Sequence, residues 1–388
     1  MTAEERTAPG RAEAGAAVPV PVPVDARWVE GALELVMERV AGTAREVGER
    51  FPLYAGAGDG RWATTGRGSW TGGFWAGLLW MRARYTGDAG DRRAALDCTA
   101  RLEQWTGADT ATRGLIFWYG TTPAGDEPEA VALRERAARA CLADFDHGLG
   151  ILPWGGALGG PRLLARVDAV PGTVPLLAAA GARGAEAAAS HLERHLDLCL
   201  DRRADAAAGL YPWFRPALDF DAVCGWRPLA DPPQGWTRGR AWLLLAAADA
   251  LLRPDTAAGP RAAEAAALLL ERGGFLSGPP VPPADTALPD GGPLDSSAAA
   301  IVAVALLKLA RVPGPRAAWY AHRAETVLRG LVGSHLTGRG EDRPPGMLLD
   351  GCYDAAKRLA VRHELVWGDY FLALGLSALH GSVDLTRV

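Results

Sequence analysis

The chain has 388 residues, is 49% hydrophobic and 22% charged, and carries a formal net charge of −4. That composition is typical of a soluble globular protein, long enough for two ordinary domains or for one large toroid or barrel. With no basic stripe carrying interleaved aromatics, it excludes nucleic acid as a partner.

The N-terminal residues 1–24 are rich in Ala, Pro and Glu and end in a Val-Pro repeat, Val18 to Pro23, which reads as a disordered polyproline-type tail. No apolar core segment follows a basic start, so neither a signal peptide nor a membrane span is expected, and the cytoplasm is the default location. From Asp25, an N-cap, the pattern turns helical to about Gly48, with Trp28, Leu33, Val36, Val40 and Val47 along one side. Residues 49–69 hold many Gly and small polar residues and read as a loop. A helix to about Tyr85 follows, and Asp91 is expected to start another, to about Trp105.

Further helices are predicted near 128–145, 169–182, 185–201, 236–253, 259–273, 296–311, 314–333 and 365–380, for eleven or twelve in all. Strand-like alternation is scarce, Gly148 to Trp154 and Gly209 to Phe220 being the best short candidates. Unequal linkers and the lack of a strict period argue against a solenoid. A helix apolar on both faces, such as 297–310, has to lie between other helices. A closed double ring of helical hairpins spanning 25–388, one all-α domain, meets that demand.

Five widely spaced cysteines with no Cys-x-x-Cys pair suggest neither a zinc site nor a disulfide framework. Tryptophan is the compositional outlier, 14 against 7 Tyr and 8 Phe. Several cluster in short stretches: Trp70, Trp75 and Trp80, then Trp213, Trp226, Trp236 and Trp242. Indoles offer flat faces that suit sugar rings, although a large helical protein also uses them to fill wide gaps. In Trp236-Thr237-Arg238-Gly239-Arg240-Ala241-Trp242, Arg238 and Trp242 are i,i+4 neighbours at a helix start, with Trp236 before them. A guanidinium among indoles can grip a carboxylate while a ring stacks; equally, it can be paired inside the core.

Four stretches taken in order resemble glycoside hydrolase family 88, the unsaturated glucuronyl hydrolases. They are Trp70 to Trp80, the Trp236 to Trp242 segment (similar to the family's Trp-Ala-Arg-Gly-Gln-Ala-Trp), Asp295-Ser296-Ser297-Ala298, and Trp367-Gly368-Asp369-Tyr370-Phe371. The resemblance implies an (α/α)6 toroid with its site at one end of the ring. It also implies an enol-ether hydration, in which one aspartate protonates the C4=C5 bond of an unsaturated uronic acid. Water then adds at C5, and the hemiketal collapses to release the sugar. Asp168, in Arg166-Val167-Asp168-Ala169-Val170-Pro171, stands where the family has this acid/base. Trp154, Trp236, Arg238 and Trp242 match pocket positions, and Trp70 and Trp213 join them as candidate substrate contacts.

Other family positions are altered. Thr112 stands where the second family aspartate is expected, unless a shifted alignment brings in Asp109. A family histidine falls near Pro212, and a late His-Gly becomes Asp350-Gly351. Asp295 reads more simply as a helix N-cap and Asp369 as a cap or core hydrogen-bonder. His191 and His195, i,i+4 on a helix, are placed on an outer solvated face rather than on a metal, for want of a third ligand. No metal and no organic cofactor are expected. The partner is a small molecule, sugar-like under the family chemistry. The alternatives are a biosynthetic intermediate, if the fold has been turned to hydration, dehydration or cyclisation, or a ligand merely bound.

Overall fold

The computed structural model describes residues 26–201, 213–253 and 258–388. The Pro-rich segment 1–24, Asp25 and the position near Pro212 lie outside the described residues.

Helices alternate along the chain between an outer and an inner layer. The outer set is α1 (Ala26–Val47), α3 (Ala89–Ala100), α5 (Pro128–Ala143), α7 (Ala182–Cys199), α9 (Gly259–Arg272) and α11 (Ala317–Ser334). The inner set is α2 (Gly72–Thr86), α4 (Tyr119–Thr121), α6 (Thr173–Ala178), α8 (Thr237–Leu251), α10 (Ser296–Leu309) and α12 (Val366–His380). A wide π turn, Gly114–Trp118, leads into α4 and forms part of the same inner wall. Side-chain chemistry sorts the two layers. Helix α9 buries Ala262, Ala265, Ala266, Leu269 and Leu270, one stripe at helical spacing, and turns its charged residues outward. Helix α10 buries every residue, as its apolar circumference requires. Its single charge, Lys308, pairs with Asp249 of α8.

Successive inner elements pack on one another, α6 meeting its predecessor through the π turn rather than α4 itself, and α12 packs against α1, α2 and α10, so the six hairpins close into an (α/α)6 toroid. Close approach between inner elements is made possible at Gly73 of α2, where a Cβ would sit 2.2 Å from the Ile116 carbonyl oxygen.

Among the described residues, seven short antiparallel strands sit in the connections. Strands β1 (Phe51–Ala55), β2 (Trp62–Thr65), β6 (Gly351–Asp354) and β7 (Leu359–Leu365) form a sheet of order β2-β1-β7-β6. It ties the first hairpin's connection to the last one's through Tyr54↔Leu365. Strands β3 (Leu164–Arg166), β4 (Ala217–Asp221) and β5 (Gly225–Pro228) form a second sheet of order β3-β4-β5, with Arg166 opposite Ala217.

Several local expectations are corrected. Residues 49–69 are not all loop, because β1 and β2 lie there. Gly148 to Trp154 forms only one bridge, Asp146↔Ile151. Asp88, not Asp91, caps α3, accepting from Gly90 N at 2.8 Å and Asp91 N at 2.9 Å. No helix among the described residues is long and apolar enough to cross a membrane.

Candidate active site

A cavity of about 330 Å³ opens at the end of the ring where the inner helices begin. Residues just before α2 (Trp70), the π turn (Thr112), α6 (Asp168) and α8 (Trp236) line it, together with the turn between β6 and β7.

At the start of α8, Trp236 lies over the first turn. Gly239 makes room for it, since a Cβ there would meet the ring at 2.4 Å. Arg238 is buried at the cavity floor with its charge already matched. Nη1 donates to Asp295 Oδ2 at 2.5 Å and to the Cys352 carbonyl, and Nη2 donates to the Tyr353 carbonyl at 2.6 Å. The guanidinium also stacks between two indoles, 5.3 Å from the Trp236 centroid and 5.4 Å from that of Trp367. Asp295 has two tasks. Its Oδ2 faces Arg238, while Oδ1 accepts from Ser297 N at 3.1 Å and caps α10. The floor is thus a fully paired network holding α8, α10 and the β6–β7 hairpin together.

The opposite wall carries Asp168. Arg166 ends β3 in an extended conformation, and the 3-10 turn Val167–Ala169 follows. Val167 and Ala169 are buried, leaving Arg166 and Asp168 on the cavity side. The two form a fork, Nε to Oδ1 at 2.9 Å and Nη2 to Oδ2 at 3.0 Å. The Arg166 guanidinium lies 4.6 Å from the Trp154 ring centroid. Burial works against its charge, but the Asp168 carboxylate outweighs that and holds Arg166 above the usual arginine range. Trp154 is fixed by its backbone: its N–H donates to Leu164 O at 3.1 Å and its carbonyl accepts from Ala111 N at 3.0 Å. Trp70 closes the rim, donating to the Tyr353 hydroxyl at 3.2 Å and lying 4.9 Å from Trp367. Trp242 forms the buried base and stacks on Phe74.

No family model matches the chain. The unsaturated glucuronyl hydrolase of Bacillus sp. strain GL1 is 26% identical over 368 residues, which covers 87% of this chain and 93% of that protein. A crystal structure of the Bacillus sp. GL1 unsaturated glucuronyl hydrolase aligns with a TM-score of 0.78 at 21% identity, over 90% of this chain and 96% of that one. The Streptococcus agalactiae unsaturated glucuronyl hydrolase gives 0.77 at 18% identity, over 94% and 95%. The chain is similar in sequence and in fold to unsaturated glucuronyl hydrolases.

Its departures from the family pattern are local. Thr112 lines the cavity where a second carboxylate was expected, its hydroxyl 2.9 Å from that of Thr110. Asp109 does not replace it. It lies outside the cavity wall, accepting from Gly156 N at 2.9 Å and from Arg162 Nε at 3.0 Å. Trp213 is likewise brought elsewhere: it does not line the cavity but faces Arg240, 5.0 Å from its ring centroid. Asp369 is buried outside the cavity beside Glu364, which Arg39 grips at 2.8 and 2.6 Å. Burial, and then the Glu364 charge, push the Asp369 carboxyl well above the usual range.

The two histidines are not on a solvated face, as expected from the sequence, but fully buried on α7. His191 Nδ1 accepts from Leu152 N at 3.1 Å, and its Nε2 lies 3.3 Å from Ala169 O, which fits a neutral ring donating there. His195 Nδ1 donates to His191 O at 2.7 Å. Burial lowers both, His195 to about 4. His191 therefore fastens the Trp154 loop and the Asp168 turn to the outer layer. Among the described residues, no cluster of three or more His, Cys, Asp or Glu could hold a metal ion.

Sequence reasoning missed the rim. Lys357, in the turn after β6, bridges Asp354 and Asp231 at 2.8 Å each, and all three line the cavity. The scarcity of lysine in this arginine-rich chain was the available signal. Asp285, also on the wall, gave none.

Proposed function

We propose that this protein is a hydrolase that hydrates the enol ether of a small unsaturated uronide or a closely similar sugar-like substrate, with Asp168 as the acid/base. The observation that carries this reading is Asp168 itself, a carboxylate on the wall of a tryptophan-lined cavity at the ring end. At about 330 Å³ the cavity falls at the small end of ligand sites, which run from about 300 to 1,000 Å³, a size suited to one or two sugar rings. Asp168 would deliver a proton to C4 of the C4=C5 bond. A water adding at C5 gives up its own proton to the carboxylate, and the hemiketal opens to an alcohol and a 5-keto uronic acid. One water is consumed and the carboxyl returns to its starting state. Trp70, Trp154 and Trp236 would hold the ring by stacking, and Thr112 would touch it through its hydroxyl. Trp242 would back the base. Arg238, already paired, would set the shape of the floor rather than bind the ligand's charge.

The test is turnover of an unsaturated uronyl disaccharide, read as loss of absorbance from the conjugated acid. Asp168→Asn should lower kcat by about 10²–10⁴-fold, the usual worth of a positioned acid/base. Turnover retained in that variant would remove Asp168 from the mechanism. Chelator should leave the rate unchanged.

One observation favours a second reading. With Thr112, bonded to the Thr110 hydroxyl, where the family has a carboxylate, the cavity suits a less polar ligand, such as a biosynthetic intermediate undergoing hydration, dehydration or cyclisation. No turnover of any unsaturated uronide by the wild type would select it. We also place the protein in the cytoplasm, in keeping with five free cysteines.

A further inference from the structure

We propose that Arg166 is the receptor for the ligand's carboxylate, and that it takes up this anion by exchanging it for Asp168. The inference rests on the reading of the site as one for a uronic acid. Three cationic side chains line the cavity: Arg166, Arg238 and Lys357. Arg238 is committed to Asp295 and two hairpin carbonyls at the floor. Lys357 is held between two carboxylates at the rim. Arg166 differs from both. Nε and Nη2 hold Asp168, while Nη1 makes no hydrogen bond among the described residues. Its plane is already oriented by the Trp154 face, so the fork is preorganised for a planar anion.

The wall otherwise carries four carboxylates, Asp168, Asp231, Asp285 and Asp354, against those three cations. An incoming carboxylate therefore finds no surplus positive charge unless one internal pair opens. Of the two arginine pairs, Arg166–Asp168 is the one that can open, with Arg166 24% and Asp168 18% exposed against 3% and 0% for Arg238 and Asp295, while Lys357, 60% exposed, is screened by water and held by two carboxylates at once. Exchange couples binding to chemistry. A ligand carboxylate seated on Arg166 frees both oxygens of Asp168, and a carboxyl released from its cation is the better proton carrier. Only a ligand bearing the anion would thus arm the acid. Arg166 would supply, by substrate-driven exchange, what a neighbouring carboxylate at position 112 cannot supply here.

The experiment measures binding of D-glucuronate and D-glucose, neither of which carries the reactive double bond, by calorimetry or tryptophan fluorescence. The proteins are the wild type, Arg166→Gln, Arg166→Lys and Asp168→Asn, each checked for fold by near-ultraviolet circular dichroism. The wild type should prefer glucuronate, and Arg166→Gln should lose that preference, about tenfold or more, the worth of a charge-assisted pair. Arg166→Lys should keep part of it. Asp168→Asn, which removes the internal competitor, should bind glucuronate more tightly by about three- to tenfold.

Acid preference surviving in Arg166→Gln, or weaker glucuronate binding by Asp168→Asn, overturns the assignment. The two readings fail separately. Acid preference that follows Arg166 in a protein that never turns over unsaturated uronides sustains the receptor and removes the reaction. Turnover with a preference indifferent to Arg166 does the reverse.

Discussion

Replacing Asp295 by alanine removes a helix cap and a counter-ion in one step. The cap is the bond from Ser297 N at 3.1 Å, and its loss is worth about 1 kcal/mol. The counter-ion faces Arg238, which is 3% exposed and cannot turn to water. An orphaned buried charge of this kind costs about 3–5 kcal/mol. Asp295→Ala should therefore destabilise the fold by about 4–6 kcal/mol, a large share of the roughly 5–15 kcal/mol that a folded chain has in hand. Urea unfolding followed by tryptophan emission reads this directly as a lower midpoint. Asp295→Asn, which keeps an acceptor for the cap but not the charge, should fall between the two. The double variant Asp295→Ala with Arg238→Met should recover part of the loss, because no charge is then left alone. A single alanine variant within about 1 kcal/mol of wild type would refute the view that the floor is an electrostatic keystone.

Two buried titrating groups give opposite pH signatures, each read as a difference from wild type in urea midpoints. His195 is lowered to about 4 in the fold by burial, so the native state binds fewer protons than the unfolded chain below about pH 6.5. Its contribution is complete above that pH and is lost as the pH falls toward 4, at up to about 1.4 kcal/mol per pH unit. His195→Met should flatten this acid slope, and identical slopes would count against a neutral buried ring. Asp369 is raised, by burial and then by Glu364, so it keeps its proton in the fold. Its contribution is present below the unfolded carboxyl value of about 3.9 and declines as the pH rises toward the folded one. Asp369→Asn should accordingly gain on wild type between pH 5 and 8, and a constant difference would contradict the shift. At the cavity, Gly239→Ala should displace the Trp236 ring, which a new Cβ would meet at 2.4 Å. KM for a sugar ligand should rise with little change in kcat; a fall in kcat alone would contradict a stacking role for Trp236.

Helices α8, α10 and α12 could be read from the sequence because each is apolar over most of its circumference, which only an inner layer accommodates. The inner wall at 114–121 could not, since a π turn has no 3.6-residue stripe to detect. Strands β6 and β7 were hidden for a related reason: they are short, lie in a connection, and include residues with positive φ at Ala360 and Arg362. At the site, the Trp236 segment stood out by residue type, and Asp168 by its place in the glycoside hydrolase family 88 pattern. The Arg166 fork did not, because an i,i+2 contact exists only once the chain goes from extended at 166 into a tight turn. His191 and His195 were misplaced because polar residues on a helix read as exposed. The partners of His191, the backbone of Leu152 and Ala169, come from loops that no helical pattern reveals. Trp213 shows the converse error, in which nearness in sequence to Trp226 and Trp236 stood in for nearness in space.

The seam where α12 meets α1 and α2 bears on how the protein is made. On the ribosome, α12 emerges after nearly every other element, and until it does the circle is open along one side. An unfinished circle displays the greasy circumference of α10 and the aromatic edge of α2 to solvent, surfaces prone to self-association. Ligand recognition is equally late, since Trp70 from the first hairpin and Tyr353 from the last must both be present for the rim to exist. A nascent chain lacking α12 should therefore be unable to form the rim and be most in need of chaperones.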